Sequence, residues 1–154
     1  CIEAVEAFIA TSSIGGIWSS CSPDFGADGV IERFSQINPR VLFITDQYFY
    51  NGKKIKIIGR LSKILKLIPS IKTVIIVNYP GKKFLKNYKK FKQQQLLKWT
   101  DCFKKKPQEI NFKKYEFEKK VTILYTSGTK GKEKSINQRD GYVLLKHKKK
   151  EQLT

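Results

Sequence analysis

Ala27-Asp28-Gly29-Val30-Ile31-Glu32-Arg33-Phe34-Ser35-Gln36-Ile37-Asn38-Pro39-Arg40-Val41-Leu42-Phe43-Ile44-Thr45 switches hydrophobic period partway along. Val30, Ile31, Phe34 and Ile37 recur at helical spacing, which predicts a helix over Ala27 to Ile37. Asn38-Pro39 closes it, because proline pushes the residue before it away from helical dihedrals. Val41 to Thr45 is then a compact apolar run, the signature of a buried strand. The same alternation occurs upstream. Ile2 to Ser13 carries apolar residues at 2, 5, 8 and 9 and ends at Gly15 and Gly16. Ile17 to Ser20 reads as a short buried strand, and Ser22-Pro23-Asp24 as a turn. Helix, strand, helix, strand predicts an α/β fold, layered, with a largely parallel sheet flanked by helices.

Downstream, Asn51-Gly52 signals a tight turn after Tyr48–Tyr50. Lys56 to Ile68 places Ile57, Ile58, Leu61, Ile64, Leu65 and Ile68 on one helical face, and Pro69 stops it. Thr73 to Val77 is the most strand-like run in the chain. Tyr79 to Gln95 is lysine-rich and weakly patterned, an exposed excursion. Leu96 to Trp99 reads as a strand. Thr100 to Lys105 reads as a short helix capped by Thr100 or Asp101. Lys106 to Lys120 is a connector, and Val121 to Tyr125 another buried strand. No repeat and no clean linker divides the chain, so no internal boundary is assigned within 1–154.

The chain has 154 residues, with 31 basic and 13 acidic side chains and a formal charge of +18. Its 40% hydrophobic and 12% aromatic content is too high for a disordered basic tail. The apolar runs, Val74 to Val77 among them, are far shorter than the ~20 residues of a membrane-spanning helix. Glu3 and Glu6 occupy the place of a signal peptide's basic region. Cys1, Cys21 and Cys102 are odd in number and far apart, which argues against a disulfide framework and for a reducing, cytoplasmic setting. The absence of methionine, a start at Cys1 and a helical pattern running on through Lys146 to Thr154 suggest a piece of a longer protein.

The charge invites a polyanion partner. Its distribution argues otherwise: lysines spread over most of the second half, with short clusters at Lys104–Lys106 and Lys148–Lys150. Phe84, Tyr88 and Phe91 interleave with lysines, as in a single-strand binder, but no nucleic-acid motif accompanies them. Biased codon usage, with Lys, Asn and Ile frequent together, accounts for the composition, and no specific nucleic-acid partner or membrane partner is expected.

The stretch that carries chemistry follows the last strand: Tyr125-Thr126-Ser127-Gly128-Thr129-Lys130-Gly131-Lys132-Glu133-Lys134-Ser135. Glycines let successive N–H groups turn toward one anion. Hydroxyls add donors and lysines add charge. The glycines are too close together for the common nucleotide loop, and composition alone leaves an ordinary turn as the alternative.

Residue order adds a resemblance. Strand, Tyr-Thr-Ser-Gly-Thr, then Gly-Lys-x-Lys resembles the phosphate loop of the adenylate-forming enzymes. Thr126, Ser127, Gly128, Thr129, Gly131 and Lys134 match that pattern in place. Gly15-Gly16-Ile17-Trp18-Ser19-Ser20-Cys21-Ser22-Pro23-Asp24-Phe25-Gly26 resembles a stretch typical of acetoacetyl-coenzyme A synthetases. The similarity continues through Ile31-Glu32-Arg33-Phe34, Gln36, Pro39-x-Val41-Leu42-Phe43 and Gly141 to Lys148, and thins over 79–95. The resemblance implies part of the large N-terminal AMP-binding domain, spanning 1–154. It implies a parent enzyme that joins acetoacetate to coenzyme A, using ATP and Mg²⁺, through an acyl-adenylate. ATP, acetoacetate, coenzyme A and the remainder of a parent chain are the implied partners.

By the same resemblance, Thr126, Ser127 and Thr129 supply hydroxyl donors, Gly128 and Gly131 allow close approach, and Lys134 is the point charge with Lys132 in support. Lys130 stands where the family has threonine, and Glu133 where it has proline. Asn137-Gln138 replaces Val-His, and Gly141-Tyr142 replaces Gly-Gly. These departures bear on activity more than on ancestry. The family's adenine, ribose, hinge and catalytic-lysine motifs lie downstream of this stretch, so the chain alone is expected to be inactive. Two alternatives stay open: a diverged remnant that holds phosphate without chemistry, and a basic nucleic-acid-binding protein. His147, the lone histidine, reads as a solvated helix residue, Cys21 as a buried thiol, and Trp18 as core or pocket wall. Asp24 and Glu32 have no paired carboxylate for acid–base work.

Overall fold

The chain forms α1 (Ile2–Ser13), β1 (Trp18–Ser19), α2 (Ala27–Phe34), β2 (Val41–Thr45), β3 (Gln47–Tyr50), β4 (Lys53–Lys56), α3 (Leu61–Leu67), β5 (Thr73–Val77), β6 (Gln95–Lys98), β7 (Lys120–Thr126), β8 (Lys134–Arg139) and α4 (Asp140–Gln152). This is a computed structural model, and it describes residues 1–78, 91, 93–104, 109, 112–126 and 133–152. Two compact units result: Cys1–Ser20 with Gln108–Thr154, and Cys21–Pro107.

The second unit is organised around β5. Its run Thr-Val-Ile-Ile-Val is buried through Val74, Ile75 and Ile76, so both strand faces and both edges need partners. They are supplied in parallel: β2 along Val41↔Thr73 to Thr45↔Val77, and β6 along Thr73↔Gln95 to Ile76↔Lys98. This sheet is the parallel layer that the alternating pattern predicts. Helices α2 and α3 pack together in the same unit. Leu61, Ile64, Ile68, Ile71, Val74 and Ile76 form its fully buried centre.

Helix α2 ends at Phe34, short of the expected Ile37. Asn38 explains it: the residue takes φ +48°, a left-handed conformation that asparagine tolerates at helix ends. Its N–H still bonds the Phe34 carbonyl at 3.2 Å, closing the last turn. Asn51 and Gly52 both take positive φ, 47° and 69°, the requirement of a tight hairpin turn with the right twist. They join β3 to β4 from Tyr50↔Lys53 to Gln47↔Lys56. Strand β4 takes Lys56 from the expected helix. That helix then begins as a 3₁₀ turn, Ile58–Arg60, before α3.

The short helix expected at Thr100–Lys105 is a 3₁₀ helix over Trp99–Phe103. Neither Thr100 nor Asp101 is its cap residue. Asp101 instead reaches back from the first turn: Lys98 N–H donates to its carboxylate at 3.2 Å, and Lys104 Nζ lies 2.6 Å away. These contacts, Lys104 first, hold the Asp101 carboxyl below its ordinary pKa. Most of the expected 79–95 excursion lies outside the described residues.

In the first unit the sheet order is β1-β7-β8. Strand β1 is parallel to β7 through Trp18↔Thr122 and Ser19↔Ile123, and β8 is antiparallel to it. The expectation that Val121–Tyr125 is buried is corrected. Leu124 is 41% exposed and faces Ile136, itself 46% exposed, across the ladder. Two glycines are fixed by close approach. Gly15, at φ +73°, turns the chain out of α1 under the Tyr115 ring, where a Cβ would fall 1.9 Å from the phenol oxygen. Gly141 opens α4 against Phe117, where a Cβ would lie 2.1 Å from the ring. Among the described residues no helix is long and apolar enough to cross a membrane.

Two outcomes follow from this packing. Ile64→Ala empties a fully buried site and should cost about 2–5 kcal/mol in denaturant unfolding. Ile9→Ala, at a position 59% exposed, should cost far less; equal losses would contradict the core assignment. In an NMR titration Asp101 should lose its proton below the usual carboxylate range. Its support for the 3₁₀ helix is present above the ordinary carboxylate pKa and is lost as pH falls through the depressed one. Lys104→Ala should move the midpoint up, and an unmoved midpoint would refute the pairing.

Candidate functional site

Strand β7 is the middle strand of its sheet, and the glycine- and lysine-bearing segment leaves from its C-terminal end. Two ladders fix that end. On one edge, the Ser19 hydroxyl donates to the Ile123 carbonyl at 2.9 Å, and its oxygen lies 3.5 Å from the Tyr125 phenol oxygen. Because β1 is parallel to β7, the chain after Ser19 departs from the same end. That is where open parallel sheets characteristically place ligands.

On the other edge, Tyr125 pairs with Ser135 and Thr126 with Lys134. Thr126 Oγ1 donates to the Lys134 carbonyl at 3.4 Å, a long bond across the base of the segment. Ser127 to Glu133 therefore begins and finishes at neighbouring positions of one ladder. The structure brings together Thr126 and Lys134 of the expected site residues. Both are exposed at the strand ends. Ser127, Gly128, Thr129, Lys130, Gly131 and Lys132 lie outside the described residues. From Thr126 to Lys134 the sequence carries three lysines against one glutamate, a balance that favours an anion. Glu133 is half-buried.

Around this end, Trp18 is half-buried, with the Phe8 ring edge-on at 6.0 Å. That fits its reading as a packing group. Cys21 is half-buried rather than fully buried, and the three cysteines are free thiols. Among the described residues no group of three or more His, Cys, Asp or Glu could hold a metal ion.

Sequence reasoning missed strand β8, which supplies half of the base on which the segment stands. Its half-buried positions are the polar Ser135 and Gln138, while the apolar Ile136 is exposed. An apolar–polar alternation is thus absent, and only the turn-like composition before it hinted at a hairpin. Also missed was Ser19, whose hydroxyl joins two strands far apart in sequence.

The model of the family described as AMP-binding enzyme matches residues 1–146. The chain is 36% identical over 150 residues to an acetoacetyl-CoA synthetase of Gallus gallus, covering 96% of this chain and 22% of that protein. It is 35% identical over 147 residues to an acetoacetyl-coenzyme A synthetase of Rhizobium meliloti, with the same coverage. Among solved structures, an acetoacetyl-CoA synthetase from Streptomyces lividans superposes with a TM-score of 0.81 at 33% identity, over 94% of this chain and 21% of that one. The chain spans about a fifth of the length of the curated relatives it matches. The family match runs from α1 into α4, through both strands that flank the glycine- and lysine-bearing segment, and the chain belongs to the AMP-binding enzyme family.

Proposed function

We propose that the chain is the phosphate-loop segment of an acetoacetate–CoA ligase, part of that enzyme's large AMP-binding domain. The observation that carries this reading is the Thr126–Lys134 pair, which fixes both ends of a hydroxyl-, glycine- and lysine-bearing segment at the C-terminal end of β7. The enzyme's reaction runs in two steps. The acetoacetate carboxylate attacks the α-phosphorus of ATP, giving acetoacetyl-adenylate and pyrophosphate. The coenzyme A thiol then attacks the acyl carbon and releases AMP.

The chain's part in this chemistry is electrostatic. As pyrophosphate leaves, negative charge grows on the β- and γ-phosphates and must be met by fixed donors. Thr126, Ser127 and Thr129 supply hydroxyls, and Gly128 and Gly131 let backbone N–H groups approach. Lys134 supplies the point charge, supported by Lys132. Mg²⁺ enters with the substrate as MgATP. Lys130 adds a cation where the family has a hydroxyl, and Glu133 sets a carboxylate beside the anion. These two residues favour the second reading, a remnant that binds phosphate without turnover. Adenine, ribose and acid recognition are not assigned to these 154 residues. The chain by itself should give no acetoacetate-dependent pyrophosphate release, and measurable turnover would overturn the proposed division of labour.

Calorimetric titration with MgATP tests the loop. Lys134→Ala removes one charge-assisted contact and should weaken binding by about 1.5–3 kcal/mol. Unchanged affinity would remove Lys134 from the site. The double change Lys130→Thr with Glu133→Pro restores the donor and removes the carboxylate, and should tighten MgATP binding severalfold. Weaker binding by the double variant would show that Lys130 is itself a phosphate ligand.

A further inference from the structure

A concave surface lies between the second half of β8 and α4. This groove, of about 470 Å³, is lined by Asn137, Arg139, Tyr142, Lys146, His147 and Lys150 among others. Its volume falls within the roughly 300–1,000 Å³ of small-molecule pockets. Tyr142, Lys146 and Lys150 recur every fourth residue, so they share one face of the helix. The nearby acidic groups are Glu118, Asp140 and Glu151. Glu118 pairs with the Arg139 guanidinium, which steadies that side chain at the groove. Asp140 is half-buried where α4 begins, and Glu151 is exposed near its end.

We propose that this groove binds a phosphate-bearing ligand of mononucleotide size, at a site separate from the phosphate loop. Lys146 and Lys150 lie one helical turn apart, a spacing at which two ammonium groups can share one phosphate. The Tyr142 ring is held edge-on by Phe117 at 5.2 Å and remains 57% exposed. It offers an aromatic surface of the kind on which a base stacks. The Asn137 amide beside it offers both a donor and an acceptor for a base edge. Asn137, the lining residue on β8 nearest the loop, stands three positions from Lys134, roughly 10 Å along the strand, and none of the groups lining the groove belongs to the loop. The proposal does not depend on the loop holding ATP.

His147 is the only histidine in the chain, so its imidazole NMR signal reports on this groove alone. Titration of the whole chain with AMP at physiological ionic strength should shift that signal to saturation. Adenosine and inorganic phosphate, tested separately, should bind at least about tenfold more weakly, because each lacks one half of the recognition. The double variant Lys146→Gln with Lys150→Gln changes exposed positions to a residue of similar helix preference. It should weaken AMP by about tenfold or more, while Lys134→Ala should leave the His147 response as it was. No shift, an unsaturated shift or an equal response to inorganic phosphate would overturn the proposal, the last marking it as general attraction to a basic chain. So would indifference to the double variant, or loss of the response in Lys134→Ala.

Discussion

The hydrogen-bonded ladders on both edges of β7 are the constraint from which the candidate site follows. A glycine-rich segment has little preference of its own, since each glycine carries more backbone freedom than any other residue. What it can hold depends on where its ends are fixed. Here one end is set by parallel pairing to β1 and one by antiparallel pairing to β8, with Thr126 and Lys134 facing each other. Sheet pairing far from any ligand thus decides where the donors can meet. The glycines under Tyr115 and Phe117 belong to the same arrangement, because each lets an aromatic ring pack directly on backbone.

The other unit answers a different demand. A strand such as β5, apolar along its length, is stable only when both faces and both edges are covered. Neighbouring parallel strands supply the edges, and the most deeply buried side chains of the described residues, Leu61 and Ile64 of α3 among them, collect in the same unit. The contrast between the units is one of packing. Strand β5 itself is buried through Val74, Ile75 and Ile76, whereas Leu124 and Ile136 of the β7 sheet, and Tyr142, Leu144 and Leu145 of α4, remain exposed.

Much of this was legible in the sequence where local preference and burial agree. Helix α1 and strands β2 and β5 occupy the residues expected of them, and Asn51-Gly52 makes the hairpin turn its dihedral freedom favours. Legibility failed where a ladder overrode composition. Strand β4 is mostly lysine and β8 mostly polar, so neither shows the alternation that marks a half-buried strand. Each is a strand because its partner is one. Ends were also unclear: α2 stops early because Asn38 adopts a left-handed turn, and Asp101 acts from inside its helix rather than at the cap. At the site, the sequence order of Thr126 and Lys134 was readable, but their direct pairing became visible only with β8 in place.

The division into two units also makes the chain its own pair of optical probes. It contains two tryptophans, and they fall on opposite sides of that division. Trp18 lies beside Phe8 in the unit holding β7, and Trp99 lies between Phe43 and Phe103 in the unit holding β5. Indole emission answers to local packing. Replacing either tryptophan with phenylalanine leaves a single fluorophore whose colour reports on one unit alone. The order in which the two units melt can then be read with no external label.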